Sequence, residues 1–513
     1  MSGAIARNSV LLAVAQAGSR LLGWVRLAAL AAVLGTSGGL DPYLAAFRLP
    51  DLLYQLIAAG ALSSALVPIL ADLAQRGERE RARRLVASLG ALIAGLMLCL
   101  GLAGLVAADS VARLVAPGLG AAQLSETALL TRILLLSPLL LGLAALMNAV
   151  VASEERFRGP AVGPLLYNLA VIVAVLAGGG ALGGVAPALG TVVGAALLLG
   201  AAIPEARRVG YRLARPDFGD PLLGQALRAM GPRVIGLGSL QVVFAILTSL
   251  ASGLGPGAIT LWSYAFALLQ FPAAVIGGAI GTALLPVVSR LQSARDRDGL
   301  ARAAHAAAGS ASWLLAPAVT LGALFADAIT RLILGQSAEA SAVAQTATLL
   351  RWLLAGLLPM GLIAILVRLS FSVGDTRGPV AATLASSALT ILLATLLSPA
   401  LGLAALAIGM AIGDWAELAL LAVIVRGRVV GPTLRGLLGG APPSIALALV
   451  AALAGGLLDA LLRSLLPLRA EHVALVAAGL ALALYVGVSA RLDLAAARPV
   501  VGRVSARLGR GAR

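Results

Sequence analysis

Residues 9–34 read SVLLAVAQAGSRLLGWVRLAALAAVL. The run exceeds the about 20 helical residues that cross a hydrocarbon core of roughly 30 Å, yet it holds two arginines, Arg20 and Arg26. It has no small-residue cleavage site and is expected to stay as a helix, not to be removed as a signal peptide. Similar apolar runs recur along nearly the whole chain of 513 residues, of which 60% are hydrophobic and 12% charged. The mean hydropathy is +1.00, whereas a soluble domain is about half apolar and one quarter charged. The runs predict an all-α polytopic membrane protein with about fourteen spans. They are continuous and do not alternate apolar with polar, which excludes a transmembrane β-barrel.

The net charge of +16 is carried entirely by arginine on the basic side, and its location explains most of it. One set of connections is arginine-rich: Arg76 to Arg84, Arg156 and Arg158, Arg207 to Arg215, Arg290 to Arg302, Arg377, Arg426 to Arg435, and the tail from Arg491 to Arg513. The alternate set holds only Arg113, Arg331, Arg463 and Arg469. The positive-inside rule puts the rich set in the cytoplasm, with both termini inside and an even number of spans. Attraction to anionic lipid headgroups accounts for the rest. The short basic loops lack interleaved aromatics, so no nucleic-acid partner is expected.

The chain also repeats itself at an offset of 218 to 219 residues. Gly60-Ala-Leu-Ser-Ser-Ala-Leu-Val-Pro68 matches Gly278-Ala-Ile-Gly-Thr-Ala-Leu-Leu-Pro286, and Asp109-x3-Arg113-Leu114 matches Asp327-x3-Arg331-Leu332. Arg132 falls on Arg351, Gly142 on Gly361, and Ser153-x4-Arg-Gly-Pro160 on Ser372-x4-Arg-Gly-Pro379. Each half holds about six spans and so faces the same way, the parallel-repeat plan of many secondary transporters. The expected organisation is an N-terminal lobe over 1–218, a C-terminal lobe over 219–430, and two further spans with a basic cytoplasmic tail over 431–513. Pro50, Gly60, Pro68, Gly278 and Pro286 are candidate hinge or packing positions in helices two and eight, because proline removes a ladder hydrogen bond and glycine permits close approach. Plain membrane-helix packing is the alternative reading of these residues.

Charges inside spans normally face a cavity or a partner, since each costs several kcal/mol in lipid. Arg20 and Arg26 are about 120° apart on one helix and both can border a wide cavity. Arg48 follows early in the second run beside Pro50 and Asp51, with Asp41 at the outer end. An arginine fork suits a phosphate or diphosphate; snorkelling, or pairing with Asp41 or Asp51, is the structural alternative. Arg132, Arg351 and Arg368 read as structural pairing. Asp414 and Glu417, one helical turn apart in the twelfth run, share a face. They could hold a proton or sodium ion that drives transport, or pair with Arg368. Asp375 is a weaker candidate for ion coupling and a better one for helix entry.

Enzyme chemistry is not indicated. One cysteine, Cys99, and two histidines, His305 and His472, build neither a disulfide framework nor a metal site. There is no acidic Mg²⁺ motif, phosphate loop or nucleophilic triad, so no catalytic residue and no cofactor is expected beyond a coupling Na⁺ or H⁺. With no nucleotide-binding domain, energy would come from a gradient, the membrane potential or the substrate.

Three stretches carry a family resemblance: Ser19-Arg-Leu-Leu-Gly-Trp-Val-Arg26, Asp41-x5-Phe47-Arg-Leu-Pro50 and Gly60-Ala-Leu-Ser-x2-Leu-Val-Pro68. Together they resemble the amino-terminal signature of the MurJ (MviN) lipid II flippases, members of the multidrug/oligosaccharidyl-lipid/polysaccharide exporter superfamily. Val115-Ala-Pro-Gly118, Gly281-Thr-Ala-Leu-Leu-Pro286 and Gly374-Asp-Thr-Arg-Gly-Pro379 extend the likeness over nearly the full length. The resemblance implies fourteen helices in two lobes, with the last two forming a groove for a lipid tail. It implies export of undecaprenyl-diphosphate-linked peptidoglycan precursor across the bacterial inner membrane by alternating access. Arg20 and Arg26 match the family's paired arginines, Asp41 the acid after that helix, and Arg48 a basic residue of a Phe-Lys-Leu-Pro-like stretch. The chain departs at Tyr54 and Gln55, where the family carries arginines, at Ala59 in place of a glutamate, and at Ala265-Phe266-Ala267 in place of Ala-Asp-Arg. Expected partners are lipid II or a related undecaprenyl-diphosphate-linked saccharide and membrane lipids, with the chain acting as a monomer. An exporter of another polyprenyl-diphosphate-linked saccharide and a transport-inactive cell-wall scaffold are the competing readings.

Overall fold

A computed structural model describes the backbone of residues 2–58, 61–154, 156, 158–212, 214–293, 296–335, 338–428, 433–465 and 469–492. Among the described residues all regular structure is helical. In order, the helices are α1 (Ser2–Leu34), α2 (Asp41–Ala46), α3 (Arg48–Ala58), α4 (Ala61–Gln75), α5 (Arg79–Val115), α6 (Ala121–Leu134), α7 (Leu136–Ser153), α8 (Arg158–Leu182), α9 (Val185–Arg208) and α10 (Pro221–Ser252). They continue as α11 (Ala258–Ser293), α12 (Arg297–Leu324), α13 (Ala326–Leu334), α14 (Ala340–Ala355), α15 (Leu357–Ser372), α16 (Arg377–Leu401), α17 (Ala404–Arg428), α18 (Leu434–Leu438), α19 (Ala441–Leu465) and α20 (Ala470–Arg491). Among the described residues, eleven helical stretches are long and apolar enough to cross a membrane, including the joined pairs α6–α7 and α14–α15. Shorter apolar stretches occupy Leu66–Gln75, Leu240–Ser252 and Ala258–Ala273. The chain is a multi-pass membrane protein.

The chain forms two compact units, Met1–Thr260 with Ile333–Ala338, and Leu261–Leu332 with Glu339–Arg513. In the first, α8 and α9 pack through a seam of small residues. A Cβ added to Gly190 would meet the Val171 Cα at 3.0 Å, and one on Gly194 would meet the Tyr167 carbonyl at 2.8 Å. In the second unit, α16 and α17 pack alike: a Cβ added to Gly409 would meet the Thr390 carbonyl at 3.0 Å, and one on Gly413 would meet Thr390 and Ser386. These glycines are mates at the 219-residue offset, so the sequence repeat is also a packing repeat. Small residues let helix backbones approach where lipid supplies no hydrophobic drive.

Prolines account for the helix breaks in both units. Pro138 deprives the Leu134 carbonyl of its N–H donor, and the Ser137 hydroxyl donates to it instead at 2.7 Å. Pro359 does the same to Ala355, whose carbonyl accepts from the Trp415 indole at 3.0 Å. Each break thus follows from a proline and has its orphaned acceptor satisfied. Pro50 lies in the first turn of α3 and removes the donor that the Ala46 carbonyl would receive, which separates α2 from α3. Pro68 is exposed inside α4. Gly60 lies outside the described residues; Gly278 and Pro286 fall within α11, but their side chains lie outside the description.

Two fastenings complete the units. In the first, Arg81 reaches Asp220 through Nε–Oδ2 at 2.8 Å and Nη2–Oδ1 at 3.0 Å, while Asp220 caps α10 by accepting from the Leu222 N–H at 2.9 Å. Hydrogen bonds from Arg81 hold the Asp220 carboxyl below its ordinary value. The Ser88 hydroxyl bonds the backbone of Asp217, so the connection before α10 is tied to α5. In the second unit, the Trp313 indole donates to Ser489 at 2.9 Å and the Tyr485 hydroxyl to the Trp313 carbonyl at 2.8 Å. Their rings stack at 5.7 Å and fix α20 to α12.

Candidate functional site

The arginines inside the spans fall into two kinds. Arg132 pairs with Asp109 at 2.5 Å and its Nε donates to the Leu105 carbonyl at 3.4 Å. Its repeat mate Arg351 pairs with Asp327 and donates to the Ala323 carbonyl at 3.1 Å. Arg368 donates to the Ala364 carbonyl at 2.9 Å. These charges are answered locally and read as structural.

Arg26 is different. Its guanidinium carbon lies 5.9 Å from the centroid of the Tyr167 ring on α8. Among the described residues no carboxylate is in ion-pair contact with Arg20 or Arg26, and both side chains are half-buried. Arg48 lies 5.7 Å from the centroid of Phe244 on α10, and the charge of Asp51, one turn on in α3, acts upon it. Tyr54, where the family carries arginine, faces the same Asp51. Arg26 on α1 and Arg48 on α3 are thus each seated on an aromatic ring within the first unit. Arg20 stands two turns before Arg26 on α1; beside it, Ser19 accepts from the Asn168 amide at 3.2 Å through both its carbonyl and its hydroxyl.

Asp41 is fully buried, with both oxygens engaged. Oδ2 accepts from the Gly257 N–H at 2.7 Å, and Oδ1 accepts from the Thr260 N–H at 2.8 Å and from its hydroxyl at 2.5 Å. These are donors at the start of α11, which a helix leaves without internal partners, and a negative charge is favoured there. The loops meet closely. Gly38 and Gly257 both have positive φ, 116° and 81°, and a Cβ on Gly257 would stand 2.4 Å from the Thr36 carbonyl. Gln123 donates to the Gly38 carbonyl at 3.2 Å, and the Gly118 N–H to Ser252 at 2.9 Å. Two residues beyond Asp41, the Tyr43 hydroxyl bonds Thr191 on α9 at 3.1 Å, and the charge of Arg26 acts on Tyr43 as well as on Tyr167. Asp41 therefore ties α2 to α11, while Tyr43 ties α2 to the surroundings of Arg26.

In the second unit, Glu417 accepts from the Thr383 hydroxyl at 2.7 Å and Ser386 donates to the Gly413 carbonyl at 3.0 Å. Asp414 lies over the break between α14 and α15, its Oδ2 2.6 Å from where a Gly356 Cβ would stand. Asp414 and Glu417 interact with each other, and neither pairs with Arg368. Asp375 accepts from the Arg377 and Gly378 N–H groups at 3.1 and 2.9 Å and so caps α16.

The aromatic seats Tyr167 and Phe244 and the partner Thr260 are not singled out by any motif. For Thr260 a signal exists: the 219-residue offset places it on Asp41, and Gly257 on Gly38.

Residues 30–467 match the family model described as Lipid II flippase MurJ. The chain is 29% identical over 437 residues to the lipid II flippase MurJ of Burkholderia cenocepacia, covering 80% of this chain and 81% of that one. It is 30% identical over 417 residues to a probable lipid II flippase MurJ of Rhizobium meliloti, covering 79% and 77%. In fold it is similar to an inward-closed lipid II flippase MurJ, with a TM-score of 0.77, 18% identity, and 94% and 99% of the two chains covered. It is also similar to an inward-facing multidrug resistance MATE family transporter, with a TM-score of 0.69, 18% identity, and 80% and 94% covered. With the matched region spanning most of the chain, the protein belongs to the lipid II flippase MurJ family.

Proposed function

We propose that the chain carries lipid II from the cytoplasmic to the outer leaflet by alternating access, binding the diphosphate through Arg26 and Arg48 with Arg20 beside them. The observation that carries this reading is the contrast between arginines. Arg132 and Arg351 are answered by acids, whereas Arg26 rests on an aromatic ring. A diphosphate entering hydrocarbon meets a desolvation penalty of several kcal/mol or more. Guanidinium groups in a sheltered cavity offset that penalty through bidentate, charge-assisted hydrogen bonds. The polyprenyl tail can remain in lipid, and no covalent bond is made or broken.

The arginine distribution supports an inner-membrane orientation with both termini cytoplasmic, which puts Asp41 and its partners on α11 at the outer end. In that orientation the Asp41 cap holds the outer end closed above the arginines. Asp414 and Glu417, with the hydroxyl of Thr383, supply oxygens suited to a proton or Na⁺ that powers the cycle; Asp375 serves helix entry. The protein acts as a monomer. Tyr54 and Ala267, standing where relatives carry arginine, favour as a second reading a related polyprenyl-diphosphate-linked saccharide.

Rescue of a flippase-depleted bacterium tests the proposal. The parent chain should restore growth and Arg26→Ala should not. Growth restored by a variant lacking Arg20, Arg26 and Arg48 together refutes the arginine mechanism. Direct binding then separates the substrates: tighter binding of another polyprenyl-diphosphate saccharide than of lipid II supports the second reading.

A further inference from the structure

We infer that Tyr167 is a positioning residue for Arg26: its ring face seats the guanidinium so that the N–H edges stay available to a diphosphate. The inference rests on the reading above and assigns a role to a residue outside the arginine set.

The geometry points this way for three reasons. First, the Arg26 guanidinium carbon lies over the Tyr167 ring at 5.9 Å, within the roughly 6 Å over which a ring quadrupole attracts a cation. A cation held by a ring face keeps its five in-plane donors; a cation held by a carboxylate spends two of them and its charge. In this same chain Arg132 and Arg351 each give one donor to a carboxylate and a second to a backbone carbonyl. Second, the ring is itself fixed. Gly194 on α9 lets the Tyr167 backbone and ring approach, with the Tyr167 carbonyl 2.8 Å and Cδ2 3.0 Å from where a Cβ would stand. Third, Thr191, one turn before Gly194, bonds the Tyr43 hydroxyl at 3.1 Å and donates to the Pro187 carbonyl at 2.8 Å. That anchors Tyr43 to α9, the same helix whose Gly194 receives the Tyr167 ring. The repeat mate of Tyr167 is Ser386, which donates to a backbone carbonyl, so the shared α8/α9-type packing does not require an aromatic at this position.

The test is binding of undecaprenyl diphosphate to the purified chain in nanodiscs. A cation–π contact of this kind contributes a factor of about 2 to 25 in affinity. Tyr167→Leu should weaken binding by that factor, Tyr167→Phe should rescue it, and Tyr167→Leu should have no further effect once Arg26→Gln is present. If the leucine variant misfolds, progressive fluorination of a phenylalanine at 167 withdraws the ring's negative face at nearly constant shape, and affinity should fall with each fluorine. Affinity indifferent to fluorination, a phenylalanine variant as weak as leucine, or additive losses in the double variant overturns the inference while Arg26→Gln remains defective. An Arg26→Gln variant that binds as well as the parent overturns both this inference and the arginine mechanism beneath it.

Discussion

Replacing Asp41 by asparagine should loosen the first unit where α2 meets α11. Asparagine keeps one carbonyl oxygen and exchanges the other for an NH₂. If the carbonyl stays on the Thr260 N–H and hydroxyl, the NH₂ confronts the Gly257 N–H, donor against donor. A buried donor left unsatisfied costs about 1–3 kcal/mol. Losing the negative charge at the α11 N-terminus adds roughly 0.3–1 kcal/mol, more where buried. The neutral side chain also escapes the penalty of burying a carboxylate, which trims the total to about 1–3 kcal/mol, a factor of roughly 5 to 140 in the opening equilibrium. Ala258, only 5% exposed, follows Gly257 directly in this cap. In a Cys99→Ser background carrying Ala258→Cys, the labelling rate by a membrane-impermeant maleimide from the outer side reads the opening. Asp41→Asn should raise that rate by the factor given, and Thr260→Ala, which removes the hydroxyl bond alone, by roughly fivefold for about 1 kcal/mol. A folded Asp41→Asn variant labelled within threefold of its parent would refute the reasoning.

Gly194→Ala places a Cβ 2.8 Å from the Tyr167 carbonyl and should lower the melting temperature and weaken substrate binding. Gly200→Ala, which meets nothing within 4 Å, should do neither, because alanine is the better helix former. The Arg81–Asp220 clasp should be indifferent to pH over the neutral range. Asp220 is depressed in the folded chain, so its contribution is complete above the unfolded value near 3.8 and is lost only as pH falls through the lower folded value. Hydrogen exchange of the amides around Leu222 should therefore quicken only in strong acid, and quickening between pH 8 and 5 would contradict the assignment. Asp414→Asn should abolish the dependence of transport on a Na⁺ or proton gradient in proteoliposomes; transport that still follows either gradient in this variant removes the ion-coupling role.

The membrane architecture was legible because apolar length is a one-dimensional property, and lipid thickness converts it directly into helices. The two-fold plan was legible because glycines, prolines and Asp–Arg pairs stand at fixed offsets. The structure shows that they recur for packing reasons, as Gly190 with Gly409 and Arg132 with Arg351 demonstrate. The site was only half legible. A charge in an apolar run announces itself, so Arg20, Arg26, Arg48, Asp414 and Glu417 could be named. What each charge faces could not: Tyr167 and Phe244 are single aromatics on other helices, and an aromatic in a membrane span carries no signal of its own. Asp41 shows the same limit. Its charge marks it as important, but only the fold reveals that both its oxygens are spent on the first turn of α11.

The repeat also explains why the two units are not chemically alike. A duplicated chain begins with identical residues at mated positions, and function can divide only where the mates have diverged. Asp41 and Thr260 are such mates, an acceptor on one loop and a donor on the other, and their bond exists only because they differ: two aspartates would repel and two threonines would lack the charge. Tyr167 and Ser386 are another such pair. On α8 the aromatic seats an arginine, whereas on α16 the hydroxyl is committed to the α17 backbone. Asp414 and Glu417 fall at the offset from Ala195 and Leu198, so α17 carries acids where α9 carries apolar residues. The glycine seam stayed the same in both halves because both need the same close helix pair. The polar residues diverged, with Arg26 on the Tyr167 ring in the first unit and Asp414 and Glu417, beside the Thr383 hydroxyl, in the second. The Arg26–Tyr167 contact and the Asp414–Glu417 acids therefore stand at positions whose mates differ, and the proposed anion and cation tasks fall on different units.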